Sequence, residues 1–359
     1  MAGQGRRQLI DKGAVYALAA AALFGASTPF AKTLGEHVTP VALAGLLYLG
    51  SGIGLLLCYA LRTVYLGKGR EQQDRLVMAD LPWLGGAIVA GGVAGPVLLL
   101  VGLAMVPASS ASLLLNIEGV LTAMLAWFVF KENFDRRIFA GMLLIVAAGA
   151  LLSWEQMPQF GVPWGALAII GACLCWAIDN NLTRKVSASD PLQIATVKGM
   201  VAGAVNLSIA LVLGHQLPDI AIVLKAGAIG FCGYGLSLVL FVLALRHLGT
   251  ARTGAYFSAA PFVGAALSML LLREVPGAMF WVAACLMAAG IWLHLTELHA
   301  HEHDHEELDH VHVHSHDAHH QHAHEFEWDD AKPHAHKHHH SALRHAHPHY
   351  PDLHHRHDH

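Results

Sequence analysis

Ten apolar runs, each about as long as a helix must be to cross hydrocarbon, dominate this chain. A spanning helix takes roughly 20 mostly apolar residues. Windows of that size fall on 14–34, 40–61, 81–104, 108–130, 136–153, 163–184, 191–213, 222–245, 252–272 and 276–297. In lipid every backbone polar group must be satisfied within the segment, which leaves the helix for runs of this length. The expected fold class is an all-α membrane protein of ten transmembrane helices. The first run, Ala14 to Leu34, is too long for a signal-peptide core of roughly 7–15 residues and reads as a retained span.

Charge divides the chain into two physical regimes. Residues 1–298 hold 18 Lys/Arg and 14 Asp/Glu, whereas residues 299–359 hold 4 and 12 together with 24 of the 28 histidines. Only 13% of the whole chain is charged, about half the share of a soluble domain. No basic patch suggests nucleic acid. The five cysteines, Cys58, Cys173, Cys175, Cys232 and Cys285, all lie in apolar runs, where a lone thiol behaves as a small hydrophobe.

Lys and Arg set the orientation, because positive segments stay cytoplasmic. Arg6, Arg7, Lys12, Arg62, Lys68, Arg70, Arg75, Lys131, Arg136, Arg137, Arg184, Lys185, Arg246 and Arg252 fall on alternate segments, against Lys32, Arg273 and Lys225 on the others. That is 14 against 3. The expectation is a multi-pass protein of the cell (inner) membrane with both termini in the cytoplasm.

The chain repeats itself. Leu23–Leu34 aligns with Leu174–Val186 at a shift of 152, pairing Gly25 with Ala177 and Lys32 with Arg184. Thr39-Pro40 and Asp190-Pro191 each read as an N-cap followed by proline at the first helical position. Gly95–Met105 matches Gly235–Leu245, and the span ending at Lys131-Glu132 matches the one ending at Arg273-Glu274. Five helices per copy is an odd number, so the copies face opposite ways. The expected domains are a first five-helix repeat at 14–153, a second at 163–297 and a tail at 298–359. Inverted repeats of this kind are a recurrent plan of secondary transporters, with the site near the midplane between them. An inert scaffold or a membrane enzyme is the competing reading; the inverted duplication favours transport.

These features resemble the drug/metabolite transporter superfamily, in its ten-helix branch with two EamA-type repeats. The resemblance rests on Gly25, Pro29 and Lys32 in the first helix, the Pro107-Ala108 entry to the fourth, the Lys131-Glu132 and Arg273-Glu274 endings, and Pro261 in the ninth. It covers about residues 14–296 and implies a secondary carrier, often an exporter of metabolites or amino acids, and not an enzyme. The tail falls outside it.

Ionisable residues inside a span cost at least ~2.5–3.5 kcal/mol, which makes them functional candidates. Glu118 lies near the centre of the fourth span, 13 residues from Lys131, about 20 Å along a helix, and suits a group that takes up and releases a proton. Asn116 precedes it by two residues and points elsewhere. Asp179 and Lys198 sit on consecutive helices at similar depth, roughly 8–11 Å in from the bend, which predicts an ion pair. Asn180 and Asn181 add amides that can line a polar cavity. The 152-residue shift places Ser27 and Thr28 at the equivalent positions. Pro29 and Pro261 can break the helical ladder and expose carbonyls. Tyr234, Tyr256 and Ser258 can reach the cavity. Trp83, Trp154, Trp164 and Trp281 near span ends read as interface anchors.

From His299 the chain is a histidine-rich tail with few apolar residues, expected to be disordered. Imidazole binds nickel, cobalt, copper and zinc, and the His-x-His runs offer His301, His303, His305, His312, His314, His316, His338, His339 and His340 as ligands. No cofactor is required; binding of Ni, Co or Zn by the tail is the expectation. Three functions compete: a carrier of a small solute with a metal-binding tail, a nickel, cobalt or zinc exporter whose tail captures cargo, and a membrane metal receptor or store. The partners are lipid and a small-molecule or metal-ion substrate, with a homodimer compatible with the fold.

Overall fold

The computed structural model describes residues 2–66, 76, 78–130, 136–155, 162–186, 189–248, 253, 256–295, 300–305, 308–314, 334–340 and 343–348. The chain divides into two compact units, Met1–Glu297 and Leu298–His359.

The first unit is built of helices joined by short turns and loops. Its rods are α1 (Ala2–Gly35), α2 (Pro40–Leu66), α3 (Met78–Met105), α4 (Ala108–Leu114 and Ile117–Phe130), α5 (Arg136–Glu155), α6 (Trp164–Val186), α7 (Pro191–Val212), α8 (Ile220–Ile229, Gly230–Leu236 and Ser237–Leu248), α9 (Ala260–Leu272) and α10 (Ala278–Leu295). Seven are long and apolar enough to cross a membrane, and Phe139–Trp154, Ala260–Leu272 and Ala278–Leu293 are shorter apolar helices. Together they give the ten-helix membrane fold that the sequence predicts.

Three boundaries differ from expectation. The fourth span is interrupted at Leu115-Asn116, where the amides of Leu115 and Asn116 bond back three residues, to Ser112 and Leu113, instead of four. The ninth is interrupted in the same way: Thr253, Tyr256 and Phe257 are helical, and a turn at Ser258-Ala259 separates them from the rod that starts at Ala260. Thr39 does not cap α2 with its side chain, since its Oγ1 is buried without a partner. Asp190 does cap α7, its Oδ1 accepting from the Leu192 amide at 2.9 Å.

The packing obeys an exchange of helix n with helix n+5. α3 packs on α6, and α8 packs on α1. α4 packs on α6, and α9 packs on α1. α2 with α7, α4 with α9 and α5 with α10 are their own images under the same exchange. The irregularities follow it too. π-helical turns interrupt the third helix of each half, at Ile88–Ala94 and Gly230–Leu236. The breaks at Leu115-Asn116 and Ser258-Ala259 also correspond. Small residues allow the close crossings this needs: a Cβ on Gly52 would lie 2.5 Å from the Met200 backbone nitrogen, and one on Gly203 2.5 Å from that of Leu49.

The second unit carries four strands, β1 (Ala300–His305), β2 (Leu308–His314), β3 (His334–His340) and β4 (Leu343–Pro348). β1 pairs antiparallel with β4 and β2 with β3. This differs from the featureless tail expected from composition. Alternation of histidine with other residues has the strand period of two, which a hydropathy criterion does not register. A two-stranded ribbon alone is marginally stable in water.

Candidate functional site

The site is organised around the π-helical turn of α3. A π turn lengthens the local hydrogen-bond ring and leaves backbone carbonyls without their usual helical donors. Side chains from three other helices supply them. Tyr48 of α2 donates its hydroxyl to the Gly91 carbonyl at 2.8 Å, and the Trp176 indole of α6 donates to the same oxygen at 3.0 Å. Asn206 of α7 donates its amide to the Gly92 carbonyl at 2.9 Å.

Against this turn lies a buried ion pair. The Lys198 ammonium of α7 is 2.5 Å and 2.8 Å from the two carboxylate oxygens of Asp179 on α6. It also donates to Thr183 Oγ1 at 3.2 Å, and Thr183 donates to Asp179 Oδ1 at 2.8 Å. Asp179 and Lys198 are 7% and 6% exposed, so neither charge is solvated by bulk water and each depends on the other. Gly91 is what admits the carboxylate: a Cβ there would land on it.

One residue beyond Asp179, Asn180 donates its amide to Glu118 Oε1 at 2.8 Å and to Thr122 Oγ1 at 3.4 Å. Asn181 bonds the Thr122 and Ala177 carbonyls at 3.3 Å and 2.8 Å. Asn180 is exposed, although it is on the wrong side of α6 to face lipid. The lipid-facing stripe is Leu167, Leu174 and Ile178. At about 100° per residue, Asn180 is roughly 160° around the helix from Ile178, amid buried Trp176, Ala177 and Asp179. Its exposure is therefore to an internal opening. α4 gives the same result: Met124 and Phe128 face outward, whereas Gly119 and Thr122 sit roughly 140–160° from Met124. A Cβ on Gly119 would meet nothing within 4 Å. Glu118, Gly119, Thr122 and Asn180 thus line a cavity inside the bundle.

Aromatic rings cluster around Trp176, one turn before Asn180 on the same helix. Phe24 of α1 stands edge-on to Trp176 at 6.1 Å and to Tyr234 of α8 at 6.0 Å, and tilts against Phe257 at 5.7 Å. Tyr48 and Tyr234 are 5.4 Å apart. Tyr48 lies within electrostatic reach of both Glu118 and Asp179.

Two further charges bond helix ends. Lys32 donates to the Leu103 and Val106 carbonyls, at 3.1 Å and 2.5 Å, where α3 ends. Glu274 accepts from the Ala108 and Ser109 amides, both at 2.8 Å, where α4 begins. Each sign suits the helix dipole it meets.

The structure therefore brings Glu118, Asn180, Asp179 and Lys198 together on α4, α6 and α7. Ser27 and Thr28 are buried on α1, with Ser27 donating to the Phe24 carbonyl at 2.6 Å. It does not bring Asn116 to Glu118. The break in α4 turns Asn116 toward the Leu113 carbonyl and Met287 Sδ of α10. Tyr256 packs beside Ala17 and Ala244 rather than in the aromatic cluster. Trp83, Trp154, Trp164 and Trp281 are all exposed. All five cysteines are free thiols. In the tail, only backbone is described for His301, His303, His305, His312, His314, His338, His339 and His340, and His316 lies outside the described residues. Sequence reasoning missed Phe24, Tyr48, Trp176 and Gly91. The one available signal was Trp176, a tryptophan in mid-span beside the Asp179-Asn180 pair, unlike those at span ends.

Comparison with known proteins gives consistent matches. The model of the EamA-like transporter family matches residues 11–154 and again 163–296. The chain is 28% identical over 294 residues to an uncharacterized transporter of Methanothermobacter thermautotrophicus, covering 78% of this chain and 85% of that one. It is 24% identical to a probable amino-acid metabolite efflux pump of Salmonella typhimurium, covering 53% of this chain and 68% of that one. A solved crystal structure superimposes with a TM-score of 0.59 at 17% identity, covering 78% of this chain and 94% of that one.

Proposed function

The chain belongs to the EamA-like transporter family, and from that premise we propose that it is a secondary exporter of a small organic solute, working by alternating access between its two halves. The observation that carries this reading is the exposure of Asn180 on the buried face of α6, where it holds Glu118. A polar opening enclosed by helices of both halves is where an inverted-repeat carrier places its substrate. The exchange symmetry of the packing supplies two related ends that can open in turn. The efflux name of the Salmonella relative supports the outward direction.

Glu118 is the coupling residue in this reading. A carboxyl held by an amide, and not by a cation, can be charged or neutral as the cycle requires. Asp179 and Lys198 hold α6 to α7 beside the cavity, with Asn180 carrying substrate contact. The experiment is solute flux in proteoliposomes under an imposed pH gradient, with an amino-acid and amine panel. The wild-type chain concentrates its solute against a gradient, and Glu118→Gln loses the pH dependence while keeping solute exchange. Absence of any driven flux across the panel defeats the reading.

The tail supports a second element, cytoplasmic binding of nickel, cobalt or zinc. The register sets His301 opposite His347, His303 opposite His345, His310 opposite His338 and His312 opposite His336. Histidine thus stands against histidine in the register of both ribbons. Metal retention by the full chain against a chain ending at Leu298 tests this. If truncation also abolishes metal tolerance in cells, the metal is cargo; if tolerance is untouched, the tail serves as a store or regulator.

A further inference from the structure

Resting on the transporter reading above, we propose that the cavity selects a cationic substrate, an amine carried on an apolar or aromatic body, and exchanges it for the proton of Glu118. The argument starts from which charges around the cavity are already matched. Asp179 is matched by Lys198, which approaches both of its oxygens. Glu118 is not: its carboxylate receives an amide hydrogen bond from Asn180, and among the described residues no lysine or arginine pairs with it. A cavity with one matched pair and one spare carboxyl is short of one positive charge as soon as that carboxyl ionises. An anion there would face Glu118 with Asp179 close behind it.

The surroundings fit the same ligand. Trp176 precedes Asn180 by one helical turn, so ring and carboxyl partner lie on one face of α6. Phe24, Trp176, Tyr48, Tyr234 and Phe257 form a connected set of rings. Phe24, Tyr48 and Tyr234 are mostly buried but keep some accessible surface. Aromatic faces attract ammonium groups, most strongly where water is excluded, and they also accommodate an apolar body. The Tyr48 hydroxyl and Trp176 indole N–H are already committed to the Gly91 carbonyl, so both offer ring surface rather than donors. The side chains that face the cavity are thus an acid, an amide, a hydroxyl and π surfaces.

Binding then couples to the proton without further machinery. The ammonium enters a site whose Glu118 is protonated. The O–H bond breaks, the proton leaves to water, and the carboxylate so formed pairs with the ammonium. Charge in the cavity is unchanged by the exchange. The titratable groups facing Glu118 are Asp179 on α6, which stays paired, Tyr48 on α2, and Cys173 on α6 behind the break in α4. None supplies a cation.

The test compares three probes with a common phenylethyl body on the purified full-length protein: 2-phenylethylamine, 2-phenylethanol and 3-phenylpropionate. Calorimetry should give the amine at least about tenfold tighter binding than either other probe. Proton release in weak buffer should approach one per amine bound and zero for the alcohol. Glu118→Gln should lose about tenfold in amine affinity and all proton release, keep alcohol binding, and unfold at a temperature close to wild type. Equal or tighter binding of the acid overturns the proposal, as does unchanged amine affinity in Glu118→Gln. If a non-cationic solute is driven in proteoliposomes while the amine is ignored, the transporter reading survives and this inference falls. If no solute is driven at all, both fall.

Discussion

Gly91 and Gly233 occupy matching places in the π-helical turns of α3 and α8, yet they face different chemistry. A Cβ on Gly91 would land on the Asp179 carboxylate, whereas one on Gly233 would lie 2.6 Å from the Ser27 Cβ. Ser27 is the residue that the 152-residue shift pairs with Asp179. The correspondence continues around the site. With Pro40 set on Pro191, buried Leu47 falls on Lys198. With the two helix breaks aligned, Pro261 falls on Glu118. The duplicated scaffold thus supplies the same bend, the same close glycine approach and the same crossing twice. The charge is placed once, in α4, α6 and α7. A carrier needs two halves that move alike, but it needs one binding chemistry, and the two demands are met by different residues.

The strongest way to break the comparison is to remove one charge. Lys198→Met leaves a buried carboxylate with Thr183 alone, and such a change costs about 3–5 kcal/mol. Copying the first half instead, with Asp179→Ser and Lys198→Leu together, should recover most of that loss, because a matched apolar replacement of a buried pair is often neutral. Thermal or denaturant unfolding of the purified protein measures both. A double variant as unstable as Lys198→Met would show that the second half cannot use the first half's solution. Transport should be lost in the single variant and altered in the double.

Next in size are the glycines. Gly91→Ala pushes a methyl into the ion pair, and Gly233→Ala pushes one into the Ser27 methylene. Overpacking costs about 1–3 kcal/mol, with Gly91→Ala at the upper end because the displaced group is charged. Placing Gly91→Ala in the Asp179→Ser background should reduce its cost to that of Gly233→Ala. A cost that stays unchanged in that background means the steric conflict is with the backbone and not with the carboxylate.

How much of this was legible in the sequence depends on contrast. The spans stand out because a run of about 20 apolar residues is the length that hydrocarbon demands and that water-soluble helices seldom reach. Asp179, Lys198 and Glu118 stand out as charges in apolar runs, and a rise of 1.5 Å per residue placed the first two at one depth. The aromatic cluster has no such contrast: Phe24 and Tyr48 are apolar residues among apolar residues, and only the packing of α1, α2, α6 and α8 selects them. The π turns are invisible for a related reason, since they change backbone bonding and not residue type. Asn116, two residues from Glu118, points away from it, as that spacing dictates on a helix. At Leu115-Asn116 the helix is broken, and Asn116 bonds toward α10.

The helix-end charges give a smaller effect. Glu274→Ala removes an acceptor from two amides at the start of α4, and Lys32→Met removes a donor to two carbonyls at the end of α3. Each should cost about 1 kcal/mol, the scale of a cap or dipole contact. Lys32 and Glu274 also attract each other electrostatically, so the double variant should lose less than the sum of the two costs. Full additivity in the double-mutant cycle would show that each charge acts through the backbone alone.

The smallest effect separates the two N-caps. Thr39 and Asp190 stand at matching places before Pro40 and Pro191, and sequence gives them the same role. Asp190 fills it, accepting from the Leu192 amide at 2.9 Å and holding Arg62 at 3.1 Å. Thr39 contributes only its backbone carbonyl, which accepts from Leu43 at 2.9 Å, while its hydroxyl is buried unpaired. A buried hydroxyl without a partner carries a desolvation cost and returns no bond. Thr39→Val keeps the shape and removes that cost, so it should be neutral or stabilising by up to about 1 kcal/mol. Asp190→Val, at the equivalent position, should destabilise by about 1–2 kcal/mol. Opposite signs at equivalent positions would place the asymmetry of the halves in their helix caps as well as in their charges. A loss from Thr39→Val matching that from Asp190→Val would mean that the Thr39 hydroxyl has a partner, such as water, and that the two caps are alike after all.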